Sequence, residues 1–153
     1  MKYRKLGHGL EVSAIGIGCM PMIKGGNILY GEAADLDEST ATIHRAIDLG
    51  VTFFDTAQIY GPFSNEELLG AAIKGKRDGL VIATKFGFKF DGNQIVGVDG
   101  SPENARRSCE GSLQRLGIDT IDLFYQHRVD PAIPIEEVVG GMMELVNEGK
   151  VRH

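Results

Sequence analysis

Three side chains able to donate or accept a proton stand where strand-like apolar runs end, Asp55, Lys85 and His127, and a fourth, Tyr60, follows Asp55 five residues later in the next loop. The runs cover residues 51–54, 80–84 and 121–126, and a helical stretch follows each of them. In a parallel α/β sheet the three carboxyl ends would point to one edge. Each polar residue alone is weak evidence, because strands leave the core there. Together, a carboxylate, a phenol, an amine and an imidazole would converge on the face where barrel enzymes hold their active sites.

The elements that must position these side chains begin with a predicted β-hairpin. Residues 2–5 and 10–13 flank Gly7-His8-Gly9, which is a turn signal. Residues 14–18 predict a first buried strand, and a long glycine-bearing loop follows over residues 19–34. The remaining strands alternate with helices, so the pattern predicts successive βα units.

Four helices are predicted from their capping signals. Their starts are Asp35 or Asp37, Ser64 with a capping box, Ser101 before Pro102, and Pro134. In the last helix we expect Ile135 among the inward-facing residues. Residues 86–100 are predicted to form a loop, and residues 151–153 begin a fifth strand. We therefore predict a single domain over residues 1–153, made of a hairpin over 1–13 and four βα units, interrupted at the start of the fifth strand.

Two architectures agree with this order of elements. One is about half of a barrel, since a complete barrel needs about 250 residues and this chain has 153. The other is an open doubly wound sheet, for instance of the flavodoxin type. The N-terminal hairpin and the polar residues at three strand ends favour the barrel.

Composition excludes several classes of protein. A net charge of −5 disfavours nonspecific binding to nucleic acid. No apolar run approaches the ~20 residues of a membrane span, and the first residues lack a signal-peptide core. We expect a cytoplasmic protein. Cys19 and Cys109 lie far apart, which indicates two packed thiols and neither a metal site nor a disulfide.

Several other residues have simpler interpretations. Gly16-Ile17-Gly18 resembles a dinucleotide fingerprint, but Pro21 occupies the place of the third glycine and no helix is predicted to start there. We interpret Tyr125 as a packing residue, and we expect His8 and His44 to face solvent.

The sequence motifs around these four residues are specific in their order and spacing. They consist of Asp55-Thr56-Ala57, Tyr60-Gly61, Asn65-Glu66-Glu67-Leu68-Leu69-Gly70, Ala83-Thr84-Lys85, Leu116-Gly117, Ile121-Asp122-Leu123 and His127-Arg128-Val129-Asp130. Over nearly its whole length the chain resembles the aldo-keto reductase family. That resemblance implies a parallel (βα) barrel of TIM type, of which this chain would be about half, with the N-terminal hairpin plugging the bottom.

The resemblance also implies a role for each of the four residues in carbonyl reduction. Tyr60 would donate the proton, although a free phenol is a poor acid at neutral pH. Lys85 would make it a better one, Asp55 would hold Lys85 charged and aimed, and His127 would hydrogen-bond the carbonyl oxygen.

The implied cofactor is NADPH, with NAD not excluded, and the implied substrate is a small aldehyde or ketone. The cofactor-binding residues of this half would be Gly18, Cys19, Met20 and Asp55, with no metal. We expect the chain to form a homodimer or to associate with a complementary C-terminal half. The alternative is a catalytically silent half-barrel that associates through its open sheet edges.

Overall fold

The computed structural model describes residues 1–7, 9–23 and 34–153. Its strands are β1 (Tyr3–Lys5), β2 (Glu11–Ser13), β3 (Ile17–Gly18), β4 (Phe53–Asp55), β5 (Val81–Phe86), β6 (Phe88–Asp91), β7 (Gln94–Val98) and β8 (Leu123–Gln126). Its helices are α1 (Leu36–Asp48), α2 (Ser64–Ile73), α3 (Pro102–Leu116) and α4 (Ile135–Asn147). The predictions for His8 and for most of the loop over 19–34 lie outside the described residues.

The N-terminal hairpin is confirmed. Strands β1 and β2 pair antiparallel, with Tyr3 opposite Ser13. Leu10 and Val12 are buried, whereas β1 is exposed. The hairpin is joined to the first parallel strands by two hydrogen bonds, Ser13 N to Thr52 Oγ1 at 2.9 Å and Thr52 N to Ser13 Oγ at 2.8 Å.

Four parallel strands form the central sheet in the order β3-β4-β5-β8, which is also their order along the chain. An isolated parallel bridge between Ile121 and Val151 adds the beginning of a fifth strand at the β8 edge. A doubly wound sheet reverses its strand order at a switch point. This sheet does not reverse, so the open doubly wound alternative is wrong.

The helices cover one face of this sheet. Neighbours along the chain pack side by side, α1 on α2, α2 on α3 and α3 on α4. Alternate strand residues that point toward the helices are fully or almost fully buried: Phe54, Ile82, Thr84, Phe86 and Phe124. The opposite face, which carries Asp55 and Lys85, has no helix over it among the described residues. No helix in this part of the chain is long and apolar enough to cross a membrane.

The four predicted helix starts agree with the structure to within one residue, including Pro134 as the N-cap of α4, but one predicted cap is wrong. Asp35 caps α1 through its carboxylate, and Ser101 caps α3 through its hydroxyl. The capping box at Ser64 is wrong, because Phe63 is the N-cap of α2, with a φ of 69° and no side-chain cap. The hydroxyl of Ser64 donates instead to the carbonyl of Gly61 at 2.7 Å. Ile135, expected to face inward on α4, is half exposed.

The stretch predicted as a loop over 86–100 contains an antiparallel hairpin, β6 paired with β7. Its sequence carries the signal that could have revealed it, since Asp91-Gly92 lies between two runs rich in β-branched and aromatic residues. The hairpin rises from the end of β5, next to the strand ends that hold the candidate site.

Candidate active site

Strand register places Asp55 and Lys85 on the bare face of the sheet. Asp55 is the last residue of β4 and lies opposite Ala83 of β5. Side chains alternate between the two faces of a strand, so Lys85 projects on the same side as Ala83 and Asp55. The intervening Thr84 points the other way, into the helix layer, where it is fully buried.

The ammonium group of Lys85 links β5 to the end of β4 and to the turn that follows β4. Its Nζ lies 2.5 Å from Asp55 Oδ1 and donates to the carbonyl oxygen of Thr56 at 2.8 Å. It also donates to the hydroxyl oxygen of Tyr60 at 3.2 Å. The Lys85 side chain is only 13% exposed. These contacts hold an acid, an amine and a phenol in one hydrogen-bonded group.

Tyr60 and His127 face each other across the same rim. Tyr60 lies in the turn after β4, where its amide donates to the carbonyl of Ala57, and its side chain is buried. His127 follows β8 directly, and its amide donates to the carbonyl of Phe86 at 2.7 Å. The centroids of the Tyr60 and His127 rings are 5.8 Å apart and the rings are perpendicular. All four residues predicted from the strand ends are therefore neighbours.

The environment of His127 disfavours its charged form. Burial lowers the pKa of His127 below its usual value, and the positive charges of Lys85 and Arg128 lower it further, while Asp55 opposes them. The Nδ1 atom of His127 is buried without a hydrogen-bond partner among the described residues. A neutral imidazole can donate one hydrogen bond and accept another.

Two buried polar residues of α2 brace the strands behind this site, and sequence reasoning did not assign them this part. Asn65 accepts from the Thr56 hydroxyl at 2.6 Å and donates to the carbonyl oxygens of Cys19 and Met22, both at 2.7 Å. Its partners therefore lie next to Asp55 and in the chain after β3. The motif contained the residues, but spacing alone could not distinguish a buried brace from a helix cap.

Glu66 braces strand β5 from the same helix. Its carboxylate accepts from the hydroxyl of Thr84 at 2.5 Å and from Nε of Arg115 at 2.7 Å. The Glu66 side chain is fully buried, and that of Arg115 is mostly so. Because Thr84 immediately precedes Lys85, this buried ion pair fixes the strand segment that carries the ammonium group.

The residues predicted to bind a cofactor differ in what they offer. Gly18 lies opposite Asp55 in register, and open space exists where a side chain would stand. Met20 is exposed. Cys19 is buried. Its backbone amide donates to the backbone carbonyl of Asp55, and its carbonyl accepts from the side-chain amide of Asn65. Gly18, Met20 and Asp55 therefore leave open surface at this edge of the sheet, whereas the buried Cys19 shapes the backbone between them.

Two aromatic or basic side chains do not lie where we expected them. Tyr125 is 39% exposed on the bare face, opposite Lys85 in register, and is not a packing residue of the core. Burial raises its pKa, as does the charge of Asp55. His44 is half buried, and its Nε2 lies 2.8 Å from the carbonyl oxygen of Ala72, so it joins α1 to α2. Alternation along β8 from His127 could have placed Tyr125 correctly.

The described residues contain no group of three or more His, Cys, Asp or Glu side chains that could hold a metal ion.

Comparison with known proteins gives a consistent assignment. The model of the aldo/keto reductase family matches residues 14–153. A protein described as probable aldo-keto reductase 1 of Glycine max is 45% identical over 97% of this chain, which spans 42% of that relative.

Solved structures agree with this match. The aldo-keto reductase AKR11C1 from Bacillus halodurans, a holo form, is 33% identical with a TM-score of 0.87, and the chain covers 49% of it. The glycerol dehydrogenase AKR11B4 from Gluconobacter oxydans is 31% identical with a TM-score of 0.80. The match covers 98% of this chain and 46% of the dehydrogenase. The chain thus spans about half the length of these relatives, and the prediction of half a TIM-type barrel is confirmed. This chain belongs to the aldo/keto reductase family.

Proposed function

We propose that this chain carries the catalytic residues of an NADP-dependent reductase of aldehydes or ketones. The observation that supports the proposal most is the ammonium of Lys85, which bonds both Asp55 and the hydroxyl of Tyr60 beside His127. Family membership and the open surface at Gly18 agree with it. The preference for NADP over NAD remains what the family resemblance implies, and the single-domain boundaries and a cytoplasmic location remain predictions from the sequence.

In the proposed reaction Tyr60 is the proton donor. A bound reduced nicotinamide would supply hydride to the carbonyl carbon. As the carbon–oxygen double bond opens, the oxygen gains negative charge and takes the proton of the Tyr60 hydroxyl. The ammonium of Lys85 stabilises the phenolate that forms, and Asp55 keeps Lys85 in place. His127 donates a hydrogen bond to the carbonyl oxygen, and solvent afterwards returns a proton to Tyr60.

Completion of the barrel is part of this proposal. The bare sheet face leaves Tyr125 exposed and the Asp55 side chain 31% exposed, and a site of this kind needs water excluded to keep its electrostatic interactions strong. We propose that a second copy of the chain or a complementary C-terminal half covers this face.

The same bare face favours a second candidate function, a catalytically silent half-barrel that associates through its sheet edges. Parallel sheets are normally covered on both faces, and here the described residues cover one. Under this alternative the four residues would be retained without turnover, and the chain would associate without binding a cofactor.

Consumption of NADPH over a panel of reactive aldehydes separates the two functions. The purified chain should be assayed alone and mixed with the C-terminal remainder of the Glycine max relative. We expect turnover in at least one sample, and we expect Tyr60→Phe to abolish it. Tyr125→Phe should retain turnover, because Tyr125 lies opposite Lys85 on the same face but its hydroxyl is not among the hydrogen-bond acceptors of Lys85 in the described residues.

Folded protein without turnover in either sample would refute the reductase proposal. A defined dimer in a measurement of solution mass would then support the silent half-barrel. Turnover that survives Tyr60→Phe would show that another group donates the proton.

A further inference from the structure

The β6–β7 hairpin brings a second aromatic ring, besides that of Tyr60, into contact with His127. The ring of Phe88 lies perpendicular to the imidazole, with centroids 5.3 Å apart. Tyr60 contacts the same imidazole edge-on at 5.8 Å. Edge-to-face contacts of this kind are a preferred arrangement of aromatic rings. The Nδ1 atom of the imidazole has no hydrogen-bond partner among the described residues, and both aromatic rings contact the imidazole.

The backbone just before Phe88 lies close to the backbone of His127 and Arg128. Gly87 has a φ of 119°, and a side chain at this position would meet the backbone of Arg128 at 3.3 Å. The turn at Gly87 lets the chain pass directly from β5 into β6 along the residues after β8. The carbonyl of Gly87 accepts from the amide of Asp99 at 3.0 Å, which closes the base of the hairpin.

Two further contacts fix the position of Phe88. Its carbonyl oxygen accepts from the side-chain amide of Asn104 on α3 at 3.4 Å, and the residue pairs with Val98 in register. Its side chain packs against the buried cluster that includes Ile59 and Tyr60. The hairpin is therefore attached at its base to the core under the site, although every residue of β7 is exposed.

We propose that Phe88 is a positioning residue, which holds the His127 ring edge-on against Tyr60 and screens it from water. The importance of this for carbonyl reduction rests on the proposed function, whereas the contact itself does not. The groups that face His127 are the charges of Lys85, Asp55 and Arg128 and the phenol of Tyr60. None of these groups belongs to the hairpin, so a change at Phe88 acts first on the burial of the imidazole. Phe90 packs on the same cluster as Phe88, which includes Tyr60, so a change at Phe90 controls for disturbance of that cluster.

Titration of His127 by nuclear magnetic resonance tests this proposal without any need for turnover. The full chain has four histidines, and His127→Gln identifies the resonance. In Phe88→Ala water reaches the imidazole, so its charged form becomes less unfavourable and the titration midpoint rises toward the ordinary value. The matched control is Phe90→Ala in the same strand, whose ring packs on Phe63 with centroids 4.8 Å apart and should leave the midpoint unchanged.

Phe88→Leu provides a second, milder test in case the alanine variant does not fold. Leucine retains apolar cover, so the midpoint should stay low, while the shift of the His127 ring protons caused by the Phe88 ring current should disappear. An unchanged midpoint in folded Phe88→Ala, or equal rises in Phe88→Ala and Phe90→Ala, would overturn the proposal. An unchanged ring-proton shift in Phe88→Leu would also overturn it. Absence of turnover would refute only the reductase function, because these titrations are independent of activity.

Discussion

Replacement of Glu66 by alanine tests whether the buried brace behind Lys85 carries much of the stability. The change leaves the Arg115 guanidinium, whose side chain is 19% exposed, without its carboxylate partner. It also removes the acceptor of the Thr84 hydroxyl, which is fully buried. Removal of one partner from a buried ion pair costs about 3 to 5 kcal/mol. Because domains are stable by only about 5 to 15 kcal/mol, this is a large fraction of the total.

Urea unfolding followed by circular dichroism measures this effect, with Glu67→Ala as the matched control. Glu67 is exposed in the same first turn of α2, so both changes share the loss of a favourable helix-dipole interaction of at most about 1 kcal/mol. With a denaturant slope of about 1 to 3 kcal/mol/M, Glu66→Ala should lower the midpoint by about 1 M or more relative to the control. Glu66→Gln should fall between them, since it retains an acceptor for Thr84.

Similar midpoints for the two alanine variants, within about 1 kcal/mol in free energy of unfolding, would refute this reasoning. Such a result would mean that water or a rearranged side chain replaces the carboxylate. Loss of cooperativity in Glu66→Ala would instead be examined by a second probe, because the free energy is then not defined by one transition.

Two further predictions concern buried groups. Gly70→Ala should destabilise the protein although alanine favours helices, because the new Cβ would lie 2.6 Å from the carbonyl oxygen of Leu116; Gly140→Ala, where nothing lies within 4 Å, should stabilise it by about 0.5 to 1 kcal/mol. Equal effects in thermal unfolding would contradict this account of the α2–α3 contact. Burial raises the pKa of Cys19 to about 12 and that of Cys109 to about 11, so neither thiol should react with a disulfide reagent until the chain unfolds. Rapid labelling of the native protein would contradict this, because it would show that the thiols are accessible. Since the thiols ionise from about pH 9 in the unfolded chain but stay protonated in the folded one, the free energy of unfolding should fall as pH rises above 9.

The sequence predicted those features that depend on local chemistry. The cap at Asp35 and the proline start after Ser101 need only a side-chain oxygen near free amide groups, and both were predicted correctly. The strand-end positions of Asp55 and His127 follow from short apolar runs that stop at a polar residue. Parallel order then brought these residues to one edge, as expected.

Other features depend on contacts between distant segments, so local patterns predicted them poorly. Ser64 has the composition of a capping box, yet Phe63 takes the N-cap position and the Ser64 hydroxyl donates to the carbonyl of Gly61. Helical spacing cannot tell which of the adjacent Glu66 and Glu67 is buried, since this depends on the position of α3. The hairpin over 88–98 was missed although its turn signal was present.

The sequence by itself determined the types of the four site residues, the strand ends that carry three of them and the following loop that carries Tyr60. Only the tertiary structure decided their distances, because the register of β4, β5 and β8 brings Lys85 within hydrogen-bonding reach of both Asp55 and Tyr60. It also decided which uncharged ring stands beside His127, since Phe88 reaches it through the turn at Gly87 and the hairpin that follows. The physical reason is that hydrogen bonds and ring contacts act over a few ångströms, whereas the residues that make them are here about 25 to 40 positions apart in the chain.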